Sequence, residues 1–154
     1  MSISQFDPVV LVVEDQGLLR MTAVSIMEDS GFEAVEAKNA DEALTMLRHY
    51  PDILVVFTDI DLNAEKDGFW LAEQIKIGWP KIDVIVTSAY PRPKNYNLDN
   101  VIAYYEKPYS EKDLINQIQK AVFGSRRGRS SAELVTAPDI GRLQLSLQTL
   151  VDPR

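Results

Sequence analysis

The chain contains no cysteine and only one histidine among its 154 residues. Without thiols there is no disulfide framework, no thiolate metal site and no thiol redox chemistry, and a reducing cytoplasm is the expected setting. The lone His49 precedes Tyr50 and Pro51 at the end of a helical pattern. A cation is favourable there, so it is read as structural. No apolar stretch approaches the length of a membrane span. Met1 to Pro8 lacks the basic start and apolar core of a signal peptide. Positive charge is in deficit, with 16 Lys and Arg against 23 Asp and Glu and a net charge of −7. That balance argues against general nucleic-acid binding. No internal repeat is present. What remains is an ordinary globular composition, 45% apolar and 25% charged, in a length that suits one domain with some excess.

Apolar runs alternate with helical patterns. Val9–Val13 is a short continuous run, as expected for a strand buried on both faces. Leu19, Ala23, Ile26 and Met27 then share one helical face, with Gly31 as the stop. Phe32–Ala37, interrupted by Glu33 and Glu36, suits an edge strand. Asn39 with Glu42 resembles a capping box, and Ala40, Ala43, Leu44 and Leu47 line the helix that follows. Ile53–Thr58 is a third strand, and Leu71, Ala72 and Ile75 mark a third helix ending near Gly78 and Pro80. Ile82–Thr87 and Val101–Tyr105 are the fourth and fifth strands. Ser110 caps a last helix whose inner face holds Leu114, Ile118, Ala121 and Val122. The pattern is that of an α/β protein with a doubly wound, five-stranded parallel sheet. Between the fourth and fifth strands, Pro91, Pro93, Asn95, Asn97 and Asn100 leave almost no helical periodicity, so a weak or missing fourth helix is expected.

The composition changes after Phe123. Residues 124–131 are polar and basic, a linker by composition. From Gly124 onward five arginines face three acidic residues, a net +2 that leaves −9 on the rest. The later Leu143, Leu145, Leu147 and Leu150 fit a strand or a helix equally, and are too apolar for a pure linker. The expected organisation is one domain over residues 7–123 and an extension over 124–154 with no recognisable effector domain.

Chemistry gathers at the strand ends. Asp59 closes the third apolar run, and Glu14 and Asp15 follow the first. A carboxylate at that sheet edge sits where open α/β folds bind their ligands. If the two strands are neighbours, three carboxylates converge, and such a cluster calls for a compensating cation. Oxygen-only ligands favour Mg²⁺, Mn²⁺ or Ca²⁺ over zinc. Ser88 follows the fourth strand and Lys107, before Pro108, the fifth. Each residue alone has a plainer reading. Asp59 would be a turn former or cap, Glu14 and Asp15 caps of the first helix, Tyr104 and Tyr105 ordinary strand aromatics, and Trp70 and Trp79 packing residues.

Taken in order, Glu14-Asp15, Asp59, Ser88 and Lys107 at the ends of four strands resemble the receiver domain of two-component response regulators, over roughly Val9 to Phe123. The resemblance implies a flavodoxin-like (CheY-like) fold with strand order 2-1-3-4-5. It implies that Asp59 is a nucleophile taking a phosphoryl group from a histidine kinase or phosphotransfer protein. By the same resemblance Mg²⁺, or Mn²⁺, would be held by Asp15, Asp59, Glu14 through a water, and the backbone carbonyl of Asp61. Lys107 and the Ser88 hydroxyl would contact the phosphoryl group, and Tyr104 would be the side chain that turns when Ser88 moves. The protein would then be a cytoplasmic phosphoacceptor rather than an enzyme, with an unidentified downstream protein, a possible homodimer, and neither membrane nor nucleic acid as partner. Asn63 stands where the family usually has proline, and the segment from Asp59 to Gly68 is one residue longer than the commonest form.

Two other readings are carried. Asp59-Ile60-Asp61 satisfies the D-x-D start of haloacid-dehalogenase-type phosphatases, although on the third strand and with Asn63 where Thr or Val is usual. The receiver fold could also serve protein contacts without phosphorylation. The extension from Gly124 is expected to engage a protein surface, by its arginines and its leucine cluster.

Overall fold

The computed structural model describes residues 8–94 and 98–130, so the expectations for the leucine cluster fall outside the described residues. The elements run β1 (Val9–Val13), α1 (Gly17–Asp29), β2 (Glu33–Ala37), α2 (Ala40–His49), β3 (Ile53–Asp59), α3 (Gly68–Gly78), β4 (Asp83–Ser88), β5 (Val101–Glu106) and α4 (Glu111–Ser130). All strand pairs are parallel and the sheet order is β2-β1-β3-β4-β5. Chain order and sheet order part company between β1 and β3, which makes their carboxyl ends the topological switch point of the sheet.

The central strands β1, β3 and β4 form because their residues are apolar on both faces, whereas the edge strands β2 and β5 are only partly buried. All five residues of β1 are buried, and Val55, Val56, Val84, Ile85 and Val86 are fully so. One face of the sheet packs on α2 and α3 through Leu11, Ala43, Leu47, Val56, Leu71 and Ile75. The other packs on α1 and α4 through Val10, Met27, Val55, Ile85, Leu114 and Ile118. The sheet and its helices up to Val122 form one compact unit. The helix begun at Glu111 continues past Gly124 to Ser130, so the change in composition there is not the end of the helix.

Local signals set the helix ends. The Asn39 side chain accepts from the Glu42 amide at 2.8 Å, while the Glu42 carboxylate returns to the Lys38 amide rather than to that of Asn39. Gly31 takes φ +92 just past α1, a conformation that strongly favours glycine. Ser110 caps α4 through the Asp113 amide at 3.1 Å. Leu19 departs from its expected inward position and is 41% exposed, so Ala23 and Met27 carry the buried face of α1.

No helix occurs among the described residues between β4 and β5. The end of that connection is tied to α3 instead. The buried Asn100 amide donates to the Ala72 carbonyl at 3.0 Å, and Lys76 pairs with Asp99 at 3.0 Å.

Candidate functional site

Register places the acidic residues together. Val13 pairs with Thr58 across β1 and β3, so Glu14 and Asp59 lie one step further along adjacent strands. Asp59 is the last residue of β3 rather than the first beyond it, and Ser88 likewise ends β4. Both are therefore held by the ladder: Ile60 donates to the Thr87 carbonyl at 2.9 Å and Lys107 to the Ser88 carbonyl at 2.8 Å. Asp59 and Glu14 are only 4% and 6% exposed, and Asp15 is half-buried. Carboxylate oxygens of all three lie within 4.8 Å of one another.

Lys107 completes the cluster, at the start of a cis peptide to Pro108. Its ammonium donates to Asp59 Oδ2 at 2.7 Å and lies 3.5 Å from Glu14 Oε1. The other Asp59 oxygen, Oδ1, accepts from the Asp61 amide at 3.0 Å. One Asp59 oxygen thus serves the turn and the other the ion pair with Lys107. Glu14 Oε2 accepts from the Gln16 amide at 3.1 Å. Neither Glu14 nor Asp15 is the cap of α1. That position is Gln16, whose side chain makes no capping bond.

The site carries more negative charge than its lysine balances. Burial pushes the Glu14 carboxyl up to about 7, against the Gln16 amide, which lowers it, while the Asp59 charge adds to the rise. Burial alone would lower the Lys107 ammonium, but its hydrogen bond to Asp59 and the charges of Asp59 and Glu14 outweigh that and raise it. A cavity of about 410 Å³ opens beside the cluster, between α1 and the start of α4. Phe57 and Tyr109 wall it, with ring centroids 5.6 Å apart and nearly perpendicular planes.

The Glu14 shift makes stability depend on pH. A carboxyl raised in the fold holds a proton that the unfolded chain has released. The metal-free protein is therefore expected to lose stability as pH rises from about 4.5 to about 7, and no further above it. The loss should be about 3 kcal/mol. Urea denaturation of wild type and Glu14→Gln in a chelator, at pH 5 and pH 8, checks this. The wild type should lose more than the variant, and an equal change in both would contradict it.

Ser88 ends β4, next to β3 in the sheet, and Tyr104 lies on β5, one strand further out. The buried Ser88 hydroxyl oxygen accepts from the Tyr90 amide at 3.1 Å. The Tyr104 hydroxyl donates to the Tyr90 carbonyl at 2.8 Å. Both therefore bear on the same exposed residue, a link that spacing in the sequence does not disclose. Gly68 was also missed. Its Cα abuts the backbone of Asp59 and Ile60, and its amide donates to the Ile60 carbonyl at 2.8 Å. The Asp67-Gly68 pair was its only trace in the sequence. His49 Nδ1 donates to the Thr45 carbonyl at 2.9 Å, and both tryptophans pack on the core, with Lys66 lying 5.1 Å over Trp70.

A parallel sheet with this order, bearing an acidic cluster and a lysine at its switch point, defines a class of signalling domain. The chain belongs to the response regulator receiver domain family, whose pattern it matches over residues 10–119. It is 30% identical over 129 residues to a putative NtrX-like response regulator of Rickettsia bellii, covering 81% of this chain and 27% of that protein. This chain thus spans about a quarter of that relative's length. Among solved structures it resembles the signal receiver domain of an HD domain-containing protein from Pseudomonas fluorescens Pf-5. There the TM-score is 0.72 at 20% identity, covering 78% of this chain and 98% of that one. It also resembles TrrA of Thermotoga maritima, solved in complex with Mg(2+)-BeF, with TM-score 0.67 at 22% identity, covering 74% and 98%. Membership places the chain in two-component signalling, whose receiver domains are generally non-enzymatic. No helix among the described residues is long and apolar enough to cross a membrane.

Proposed function

We propose that residues 7–123 form a phosphoacceptor domain in which Asp59 receives a phosphoryl group from a histidine kinase or phosphotransfer protein in the cytoplasm. The observation that carries this reading is the Asp59 carboxylate, buried at the switch point, with Lys107 on Oδ2 and Glu14 and Asp15 alongside. An Asp59 oxygen attacks phosphorus, an oxygen–phosphorus bond forms, and the nitrogen–phosphorus bond of the phosphohistidine breaks. The departing imidazole keeps the electron pair and takes a proton. Lys107 stays within reach of the incoming phosphoryl oxygens as a point charge. Leu19, which lines the cavity, and the exposed Leu18 and Met21 on the same helix give a protein donor an apolar surface to rest on.

The donor set suits a hard divalent cation. Three clustered carboxylates, one pushed to about 7 by lost hydration, face a single lysine. Asp15, Asp59 and Glu14 would hold Mg²⁺ or Mn²⁺, with the Asp61 carbonyl as a further ligand. Bound there, the cation would offset the negative charge that gathers on phosphoryl transfer. TrrA, solved with Mg(2+)-BeF, gives the same reading support by likeness. The Ser88 hydroxyl then gains a phosphoryl oxygen as acceptor. Its pull on Tyr90 reaches Tyr104 through the bond those two share. Output passes by protein contacts, to which the extension over residues 124–154 contributes.

The phosphatase reading loses ground because the chain matches the receiver family over residues 10–119 and carries Asp59 on its third strand. The test is stoichiometry. With acetyl phosphate and Mg²⁺ the protein should take up at most one phosphoryl group per chain. It should release no phosphate from a simple phosphomonoester over many turnovers. Sustained turnover of the phosphomonoester would overturn the proposal.

The cation site yields a separate expectation. Asp15→Ala should weaken Mg²⁺ binding by at least about tenfold, because a direct carboxylate ligand is lost. Trp fluorescence during a Mg²⁺ titration reads it, and equal affinity in the two proteins would remove Asp15 from the site.

A further inference from the structure

The turn that carries Glu14 and Asp15 is tied to β2 by the Glu14 amide, which donates to the Ala37 carbonyl at 3.1 Å, but on its helix side it has no capping side chain. Gln16, the residue that caps α1, contributes no side-chain bond, and no acidic residue occupies the first turn of the helix. One long side chain does span it. Arg20, one turn into α1, donates from Nη1 to the Glu14 carbonyl oxygen at 2.8 Å. Its Nε is paired with Glu36 Oε1 of β2 at 2.9 Å, and its own amide donates to the Gln16 carbonyl at 2.9 Å. Glu36 pairs in register with Val12, two residues before Glu14, so the anchor stands on the neighbouring strand. One guanidinium thus joins helix, turn and edge strand at the residue that precedes Asp15.

Charge alone would not place an arginine here. A fixed cation near a cluster that binds a divalent cation repels it, so its removal should by itself tighten binding. The planar fork does what a point charge cannot. It satisfies two acceptors at set angles and fixes the direction of the Glu14 carbonyl, and with it the two side chains that follow from that turn. We infer that Arg20 is a positioning residue for the divalent-cation site, acting on Glu14 and Asp15 through the backbone and anchored by Glu36. The inference rests on the reading that a cation binds those carboxylates.

The sign of the effect separates the two accounts. Mg²⁺ is titrated into the full chain, wild type, Arg20→Ala, Glu36→Ala and Glu36→Gln, by calorimetry, and unfolding in urea is followed in parallel. Arg20→Ala should bind Mg²⁺ about tenfold more weakly. Glu36→Ala, which removes the anchor and leaves the arginine, should weaken it in the same direction. Glu36→Gln keeps an acceptor oxygen and should stay near wild type. Phosphoryl uptake from acetyl phosphate should show a raised Mg²⁺ half-saturation. Its maximal rate should remain within about twofold of wild type, as for a loss of binding alone. Tighter or unchanged Mg²⁺ binding in Arg20→Ala, or in Glu36→Ala should Arg20→Ala fail to fold, overturns the inference. A wild type that binds no Mg²⁺ at all overturns the cation reading, and this inference with it.

Discussion

Lys107→Ala is expected to slow phosphoryl uptake by about a hundredfold to a thousandfold, the usual cost of removing one fixed donor from a site of developing negative charge. The reason is geometric. Lys107 stands 2.7 Å from Asp59 Oδ2, directly after β5, with its amide bonded to the Ser88 carbonyl, so its ammonium is already beside the oxygen that would be phosphorylated. The same substitution should cost stability. Asp59 and Glu14 would remain buried side by side without their cation, and the Glu14 carboxyl, already at about 7, would rise further. Lys107 is partly exposed, so water takes over some of its task, and a loss of roughly 1–3 kcal/mol near pH 8 is expected. The loss should shrink near pH 5, where Glu14 is protonated and only Asp59 needs a partner. Lys107→Arg should recover stability better than rate, because its planar fork presents its charge differently. Urea denaturation at two pH values and an uptake assay read these effects. A Lys107→Ala protein that reacts as fast as wild type would remove the lysine from the chemistry.

Gly68→Ala is the second large effect. An added methyl group would meet the Asp59 carbonyl oxygen, come within 2.8 Å of Ile60 Cα and lie 3.1 Å from the Asp59 carbonyl carbon. These are backbone atoms, so no rotamer change relieves the clash. Either α3 moves away or β3 shifts at Asp59. Such overpacking costs roughly 1–3 kcal/mol. A shift of the Asp59 carboxylate by a fraction of an ångström against Lys107 should slow uptake by about tenfold or more. The NMR amide shifts of Asp61 and Gly68 would report the displacement, since Asp61 donates to Asp59 Oδ1 and Gly68 to the Ile60 carbonyl. Wild-type uptake and unmoved shifts in the variant would contradict the account of this contact.

What was legible in the sequence followed from local periodicity and strand ends. Continuous apolar runs such as Val9–Val13 and Ile53–Phe57 could belong only to strands covered on both faces, and that alone required helices on either side. Parallel strands then put Glu14, Asp15 and Asp59 at one sheet edge, while Ser88 and Lys107, weak signals alone, were named through the resemblance to receiver domains. The proline-rich stretch after Ser88 argued against a helix for the same local reason, and none occurs among the described residues there. Contacts between distant segments were not legible. Leu19 fits the apolar stripe of α1 yet is exposed, because the cavity beside the site leaves nothing for it to pack on fully. Gly68 lies in the wrong part of the sequence to suggest its contact with Asp59 and Ile60. Arg20 looks like any surface arginine until β2 is placed beside β1. The link from Ser88 through Tyr90 to Tyr104 uses the backbone of an exposed residue, which no side-chain pattern encodes.

The account stands on one covalent event at one atom group. Wild type and Asp59→Asn are incubated with acetyl phosphate and Mg²⁺, and their intact masses are measured. Asparagine keeps the shape of the side chain while removing the nucleophilic carboxylate. Wild type should gain the mass of a single phosphoryl group and Asp59→Asn none. Equal labelling of the two proteins, or no labelling of the wild type by this donor or by a phosphorylated histidine kinase, would contradict the account.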